Sequence, residues 1–168
     1  LLFCFVFPAL SNAAQFEDAA TAIADEDFEK ACELLRPLAE EKNLSAQTIL
    51  GTLYIKGQGV EEDFHKGLSM IMDAASQGHE QARGLASVFC RELAHTGNVN
   101  AMYNMGYMCL KGWVGEQDSN KCIKWLEKAA ENGHMRSARV LCQIYTKGSF
   151  RITPDKEKAS YYSNMAQE

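Results

Sequence analysis

The chain has 168 residues, 46% apolar and 23% charged, with a formal net charge of -5, ordinary composition for one globular domain with a real core. The acidic balance disfavours non-specific binding to nucleic acid, and there is neither a Lys/Arg-rich run nor a glycine-rich phosphate loop. With 3 prolines and no biased segment, no part of it has the composition of a disordered tract.

Leu1 to Leu10 is apolar throughout, carries Phe3, Phe5, Val6 and Phe7, and is followed by Ser11-Asn12-Ala13-Ala14-Gln15. An apolar core followed by small residues is the end of a secretory signal. The expected cut follows Ala13, with Ala14 as the alternative, so that residues 1–13 are a signal remnant. Lacking an initiator Met and a basic n-region, the chain is expected to be truncated at its start. The competing reading is a packed N-terminal helix. No stable membrane span is expected, since about 20 apolar residues cross a bilayer and this run is half that. Export implies a secreted or periplasmic protein, in a compartment that permits disulfides. Cys4 leaves with the signal. Cys32, Cys90, Cys109, Cys122 and Cys142 remain, an odd number, so at least one is free or pairs between chains. The absence of Cys-x-x-Cys argues against a redox motif and a zinc ribbon.

From here the chain, residues 14–168, repeats itself. Residues 14–43 hold a degenerate unit: Asp27-x-x-Lys30-Ala31, then Leu34 and Leu38-Ala39. Residues 44–79 hold a full one. Ala46, Leu50-Gly51, Tyr54 and Gly57 mark a first helix and its end; Asp63, Lys66-Gly67, Met70 and Ala74-Ala75 mark a second, closed by Gly78-His79. Residues 80–97 are a truncated unit. Ala82 begins a first helix with Cys90 at the tyrosine position, no second helix follows, and Gln81 to His95 is expected as one longer helix before Gly97. Residues 98–134 repeat the full unit through Ala101, Met105-Gly106, Cys109, Gly112, Asp118, Lys121-Cys122, Trp125, Ala129-Ala130 and Gly133-His134. Residues 135–168 follow with Ser137, Leu141-Cys142, Tyr145 and Gly148. One inserted residue later come Asp155, Lys158-Ala159 and Tyr162.

The physics of one unit follows from its residues. Small and apolar side chains recur at helical spacing from Ala46 to Lys56. Gly51 and Gly106 lie inside helices, where glycine costs about 1 kcal/mol against alanine, so a neighbouring helix is expected close by. Gly57 supplies a left-handed cap, and Gly78, Gly97 and Gly133 end the second helices. Asp63 caps the start of a second helix and opposes its dipole. In the last unit Thr153 is expected as the cap, with Pro154 at the first helical position.

The pattern Ala-x-x-x-Leu-Gly-x-x-Tyr-x-x-Gly-x-Gly-Val-x-x-Asp-x-x-Lys-Ala, then Trp, Ala-Ala and Gly, resembles the Sel-one-like repeat family, relatives of tetratricopeptide repeats, over roughly Ala14 to Gln167. It departs at Cys109, Gly67, Cys122 and Cys142, and through the missing helix near residue 96. The resemblance implies an all-α solenoid of antiparallel helix hairpins in a right-handed superhelix, whose function is to hold partner proteins. It also implies that first helices line the concave side. Positions there not used for packing are Thr48 and Thr52, Tyr103 and Tyr107, and Arg139 and Gln143, with Lys56, Lys111 and Lys147 at the helix ends. Two tyrosines and several cations suit an acidic or C-terminal peptide, although a lysine in the last turn also complements the helix dipole.

Catalytic and metal chemistry finds little support. His65, His79, His95 and His134 include no i, i+4 pair and no His-Glu-x-x-His helix, so no metal or cofactor is expected. His79 and His134, each after a glycine at a unit's end, belong to helix-end chemistry. Cysteine-rich secreted relatives suggest, as an alternative, a β-lactamase-like or peptidoglycan-processing enzyme. The Ser-x-x-Lys, Ser-Asp-Asn and Lys-Thr-Gly motifs of such serine enzymes are absent, so the chain is expected not to be an enzyme. A passive structural envelope component is the third reading. Cys109 and Cys122 face one another across the loop of a helix hairpin. They are a candidate disulfide, worth about 3 kcal/mol for a loop of about 14 residues, or else two small buried side chains. Cys32, Cys90 and Cys142, and the repeat position of Met70, Trp125 and Tyr162, are expected in the core.

Overall fold

The computed structural model describes residues 12–113 and 118–167. The expected signal remnant lies outside the described residues except for Asn12 and Ala13. Among the described residues there are nine helices and no strand: α1 Asn12–Ala24, α2 Phe28–Glu40, α3 Leu44–Lys56, α4 Phe64–Ser76, α5 Glu80–His95, α6 Val99–Leu110, α7 Ser119–Glu131, α8 Met135–Lys147 and α9 Lys156–Met165. The fold is an all-α array of repeated helix hairpins.

Short polar side chains decide where the helices start. Asp27, Asp63, Asp118 and Asp155 each accept a hydrogen bond from the backbone N–H three residues on, at Lys30, Lys66, Lys121 and Lys158. That satisfies one of the donors a helix N-terminus leaves open. The Asp-x-x-Lys signature is therefore the start of α2, α4, α7 and α9. First helices use a different cap: Asn43 for α3 and Asn98 for α6, and histidine Nδ1 at His79 and His134 for α5 and α8. Gly57 and Gly148 end α3 and α8 in the left-handed conformation, with φ of 62° and 71°, which glycine adopts without steric cost.

The last unit corrects one expectation. Thr153-Pro154 does not start α9; Asp155 caps it, and α9 begins at Lys156. Pro154 packs against the turn before it: a Cβ on Gly148 would meet the proline ring at 2.7 Å. The Asp155 N–H bonds to Tyr145 O at 2.8 Å, as Asp63 N–H does to Tyr54 O at 2.9 Å. That backbone tie fixes the aspartate, and hence the helix start, against the end of the preceding helix.

The chain divides into two compact units, residues up to Arg83 and residues from Gly84 onward, the boundary falling within α5. In the first unit α1 packs on α2, α2 on α3 and α3 on α4. Its core joins Leu35, Leu38 and Leu50 to the alanines Ala19, Ala31 and Ala46. α3 and α4 touch through glycine on both sides. A Cβ on Gly51 would stand 2.7 Å from the Gly67 carbonyl oxygen and 2.9 Å from Ile71, and one on Gly67 would collide with the Gly51 carbonyl. In the second unit α6 packs on α7, α7 on α8 and α8 on α9. Its core includes Cys122, Leu126, Leu141, Ile144, Tyr145 and Tyr162. Gly106 repeats the role of Gly51: a Cβ there would lie 2.7 Å from Leu126. Cys109 and Cys122 form a disulfide, with Cα atoms 5.2 Å apart. Cys32 and Cys90 are buried thiols and Cys142 is half-buried. Burial pushes the Cys90 thiol up to about 11, which disfavours the reactive thiolate.

Candidate functional site

The second unit assembles a run of aromatic side chains on α6. Tyr103 and Tyr107 are four residues apart, hence on one helix face, and their rings stack at 6.2 Å between centroids. Trp113, just past the helix, meets Tyr107 edge-on at 5.8 Å. At the other end the His134 imidazole lies 4.6 Å from the Tyr103 ring. The order along the surface is His134, Tyr103, Tyr107, Trp113, all half-buried. A cation stands at each end. The Arg136 guanidinium is 5.9 Å from the Tyr103 ring, and Lys111 Nζ is 5.6 Å from the Tyr107 ring; both are within cation–π range. Arg139 and Gln143 are exposed on α8.

The geometry brings Tyr103 and Tyr107 together and ties them to the first turn of α8, with Arg139 one turn further along that helix. His134, Trp113 and Arg136 were not expected in the site. The signal for the histidine was present, since Gly-His recurs at each full unit's end, but a reading counted from the Leu-Gly pair inside the helix does not reach the loop residues flanking it. In the first unit the equivalent positions differ. Thr48 is only 3% exposed, which corrects its placement among exposed positions: its hydroxyl donates to Leu44 O at 2.7 Å and lies 3.1 Å from His79 Nδ1. Thr52 is half-buried and donates to Thr48 O. A β-branched hydroxyl of this size finishes its hydrogen bonding inside its own helix, where tyrosine is too long to do so.

Two Ser–His contacts bear on catalysis. Ser45 Oγ lies 3.1 Å from His79 Nε2, a distance at which a histidine base could activate a serine. His79 Nδ1, however, accepts the Ala82 N–H. In the neutral tautomer with the proton on Nε2, the one this bond selects, the ring donates to Ser45 rather than taking its proton. His134 differs: Nδ1 accepts the Ser137 N–H at 3.1 Å and also meets Ser137 Oγ at 2.9 Å, but Ser137 is fully buried, where no substrate reaches it. Burial, and then the Arg136 charge, hold the His134 pKa below its ordinary value, keeping the ring in the neutral form the cap requires. Both histidines hold helix ends. Among the described residues no group of acids, histidines and cysteines is arranged to hold a metal ion, and no helix is long and apolar enough to cross a membrane.

Three hairpins also have a clasp near the loop. Lys66 Nζ donates to the Tyr54 hydroxyl at 2.9 Å in α3–α4, and Lys158 Nζ to the Tyr145 hydroxyl at 3.4 Å in α8–α9. In α6–α7 cysteine stands in place of the tyrosine, and the Cys109–Cys122 disulfide replaces the clasp. Of the repeat position shared by Met70, Trp125 and Tyr162, Tyr162 is buried and stacks on Tyr145 at 5.9 Å. Met70 is half-buried against the first unit's core, and Trp125 meets His95 edge-on at 5.9 Å.

Comparison with known proteins places these hairpins. The chain is 39% identical over 57 residues to the ERAD-associated E3 ubiquitin-protein ligase component HRD3A of Arabidopsis thaliana, a match covering 33% of this chain and 8% of that protein's length. Among solved structures it is similar to a protective antigen of uropathogenic Escherichia coli displaying an SLR fold, with 21% identity, TM-score 0.47, and 93% of this chain and 38% of that one covered. It is also similar to a Sel1 repeat protein from Oxalobacter formigenes, with 25% identity, TM-score 0.44, and 93% and 72% covered. The Sel1 repeat model matches residues 44–79, 99–134 and 136–166. These segments carry α3–α4, α6–α7 and α8–α9. They make up more than half of the sequence, and the chain belongs to the Sel1 repeat family.

Proposed function

We propose that this chain, a Sel1 repeat protein, acts as a non-catalytic protein-interaction scaffold, secreted or periplasmic, and that it holds an acidic peptide segment of its partner on α6 and the first half of α8. The observation that carries the reading is the run of four rings with a cation at each end. Tyrosine and tryptophan offer large contact area at low entropic cost, and Arg136 and Arg139 can each meet a carboxylate bidentately. Lys111 adds charge at the far end. In the tetratricopeptide-like arrangement these first helices face the concave side. Export is supported by the apolar segment before Ser11. A cut after Ala13 keeps Gln15, which donates to Leu34 O, and Phe16, Ala19 and Ala22, through which α1 packs.

Affinity capture from an envelope extract, with the intact protein and with Tyr107→Ala as baits, tests the scaffold reading. A partner retained by the first and released by the second supports it, and identical capture by both moves the site off α6. Nitrocefin turnover separates the β-lactamase-like alternative. The Ala82 N–H on His79 Nδ1 and the full burial of Ser137 argue against it, and measurable hydrolysis would overturn that argument.

A further inference from the structure

The two tyrosine clasps are not chemically alike. In α8–α9 the Tyr145 hydroxyl donates to Glu127 Oε1 on α7 at 3.1 Å and accepts from Lys158 Nζ at 3.4 Å. Acid, phenol and cation form a charge-balanced chain through the Tyr145 hydroxyl. In α3–α4 the phenol and the cation recur, with Lys66 Nζ 2.9 Å from the Tyr54 hydroxyl and 4.1 Å from its ring centroid. The acid does not. Tyr54 follows Arg36 by the same number of residues as Tyr145 follows Glu127, so a guanidinium on α2 stands where a carboxylate stands on α7. Arg36, Tyr54 and Lys66 together line two clefts of about 660 and 250 Å3. Among the described residues neither Arg36 nor Lys66 forms an ion pair.

We propose that Arg36, Tyr54 and Lys66 form a binding site for a single carboxylate supplied from outside the hairpin, an acidic side chain of a bound peptide. The carboxylate takes up the bonds that Glu127 makes in the last unit. It accepts the Tyr54 O–H and lies between two cations, an arrangement in which charge-assisted hydrogen bonds are strongest. The surrounding acids set the ligand's charge. Glu61, Glu62 and Asp63 line the larger cleft and Glu40 the smaller, Asp63 being engaged in capping α4. These four carboxylates outnumber the two cations, so a phosphate dianion is repelled more than a single carboxylate, which binds through direct contact with Arg36, Tyr54 and Lys66. The site lies wholly within the first unit and does not rest on the reading of the α6 face.

The test is an NMR titration of the full chain, following the Tyr54 ring and the Lys66 side chain. The probes are a blocked pentapeptide with one central glutamate, its glutamine counterpart, sodium acetate and inorganic phosphate. Saturable shifts with the glutamate peptide are expected, with none from the glutamine peptide. In Arg36→Glu, which restores the acid found in the last unit, peptide affinity should fall by about tenfold or more, the scale of one charge-assisted hydrogen bond, without loss of melting temperature. Tyr54→Phe should weaken binding as well, and Lys124→Ala in the other unit should not. Acetate binding as tightly as the peptide assigns the site to small free carboxylates; tighter peptide binding assigns it to an acidic side chain. No saturable shift at Tyr54, shifts that persist in Arg36→Glu, or phosphate binding as tightly as carboxylate would each overturn the proposal.

Discussion

A side chain at position 106 has nowhere to go. The Cβ alone would sit 2.7 Å from Leu126, with the Cys122 carbonyl oxygen 3.1 Å away. Gly106→Leu should therefore destabilise the protein by about 1–3 kcal/mol, the usual cost of an overpacked core, read as a lowered midpoint in urea denaturation. An unchanged midpoint would mean that α6 and α7 can part without loss. This glycine was legible in the sequence, because a glycine inside a helical pattern calls for a close neighbour. Thr48 was not: helical spacing places it on a face, but only the structure shows His79 closing over that face. His134 leads to a pH prediction. Its Nδ1 must stay unprotonated to accept from Ser137, and burial and Arg136 lower its folded pKa. Folding thus favours the neutral ring. The contribution is complete above the ordinary histidine value of about 6.5 and is lost as pH falls from there through the lowered folded value. Melting temperature should drop over that window. His134→Asn, the residue that caps α6, should keep the cap, worth about 1 kcal/mol, and flatten this part of the pH dependence. A His134→Asn profile identical to that of the unmodified protein would remove His134 as its source.

The α3–α4 and α6–α7 hairpins are closed twice, by glycine contact along the helices and by a clasp at the loop. In α6–α7 the clasp is covalent. The two cysteines are 13 residues apart, and in the chain-entropy model closing a loop of this length adds about 3 kcal/mol. Reductant should lower the melting temperature of the unmodified protein and leave a Cys109→Ala/Cys122→Ala double variant unmoved; an unmodified protein insensitive to reductant would show that the bond contributes nothing to stability. The pairing was legible as two cysteines facing across a hairpin loop, though the residues alone equally allowed two buried thiols. The α9 start shows the opposite case. Thr153-Pro154 is a good helix-start signal in isolation, yet Asp155-x-x-Lys158 is the signal the other second helices use. The backbone bond from Asp155 to Tyr145 decides between them, and a tertiary tie of that kind has no trace in local propensity.

At the scale of the whole molecule, the repeat was plain because the two full units, residues 44–79 and 98–134, spell out both helices, their ends and their contact glycines. The binding face was half legible. Tyr103 and Tyr107 follow from helical spacing, whereas His134, Trp113 and Arg136 join them from loops and helix ends whose positions depend on how the hairpins pack. Export gives a further prediction. Protein made from a gene given a complete export signal should begin at Ala14 or Gln15 by intact mass, and a mature chain retaining Phe7 would contradict the secretory reading. The central claim is that α6 and α8 recognise the partner, and affinity tests it most directly. The measurement is calorimetric titration of the captured partner's acidic segment into the unmodified protein, Tyr107→Ala, Arg139→Ala and Lys124→Ala, at low and moderate salt. Tyr107→Ala and Arg139→Ala should each weaken binding by at least about 1 kcal/mol, salt should weaken it further, and Lys124→Ala should match the unmodified protein. Equal affinity across all four proteins would contradict the assignment.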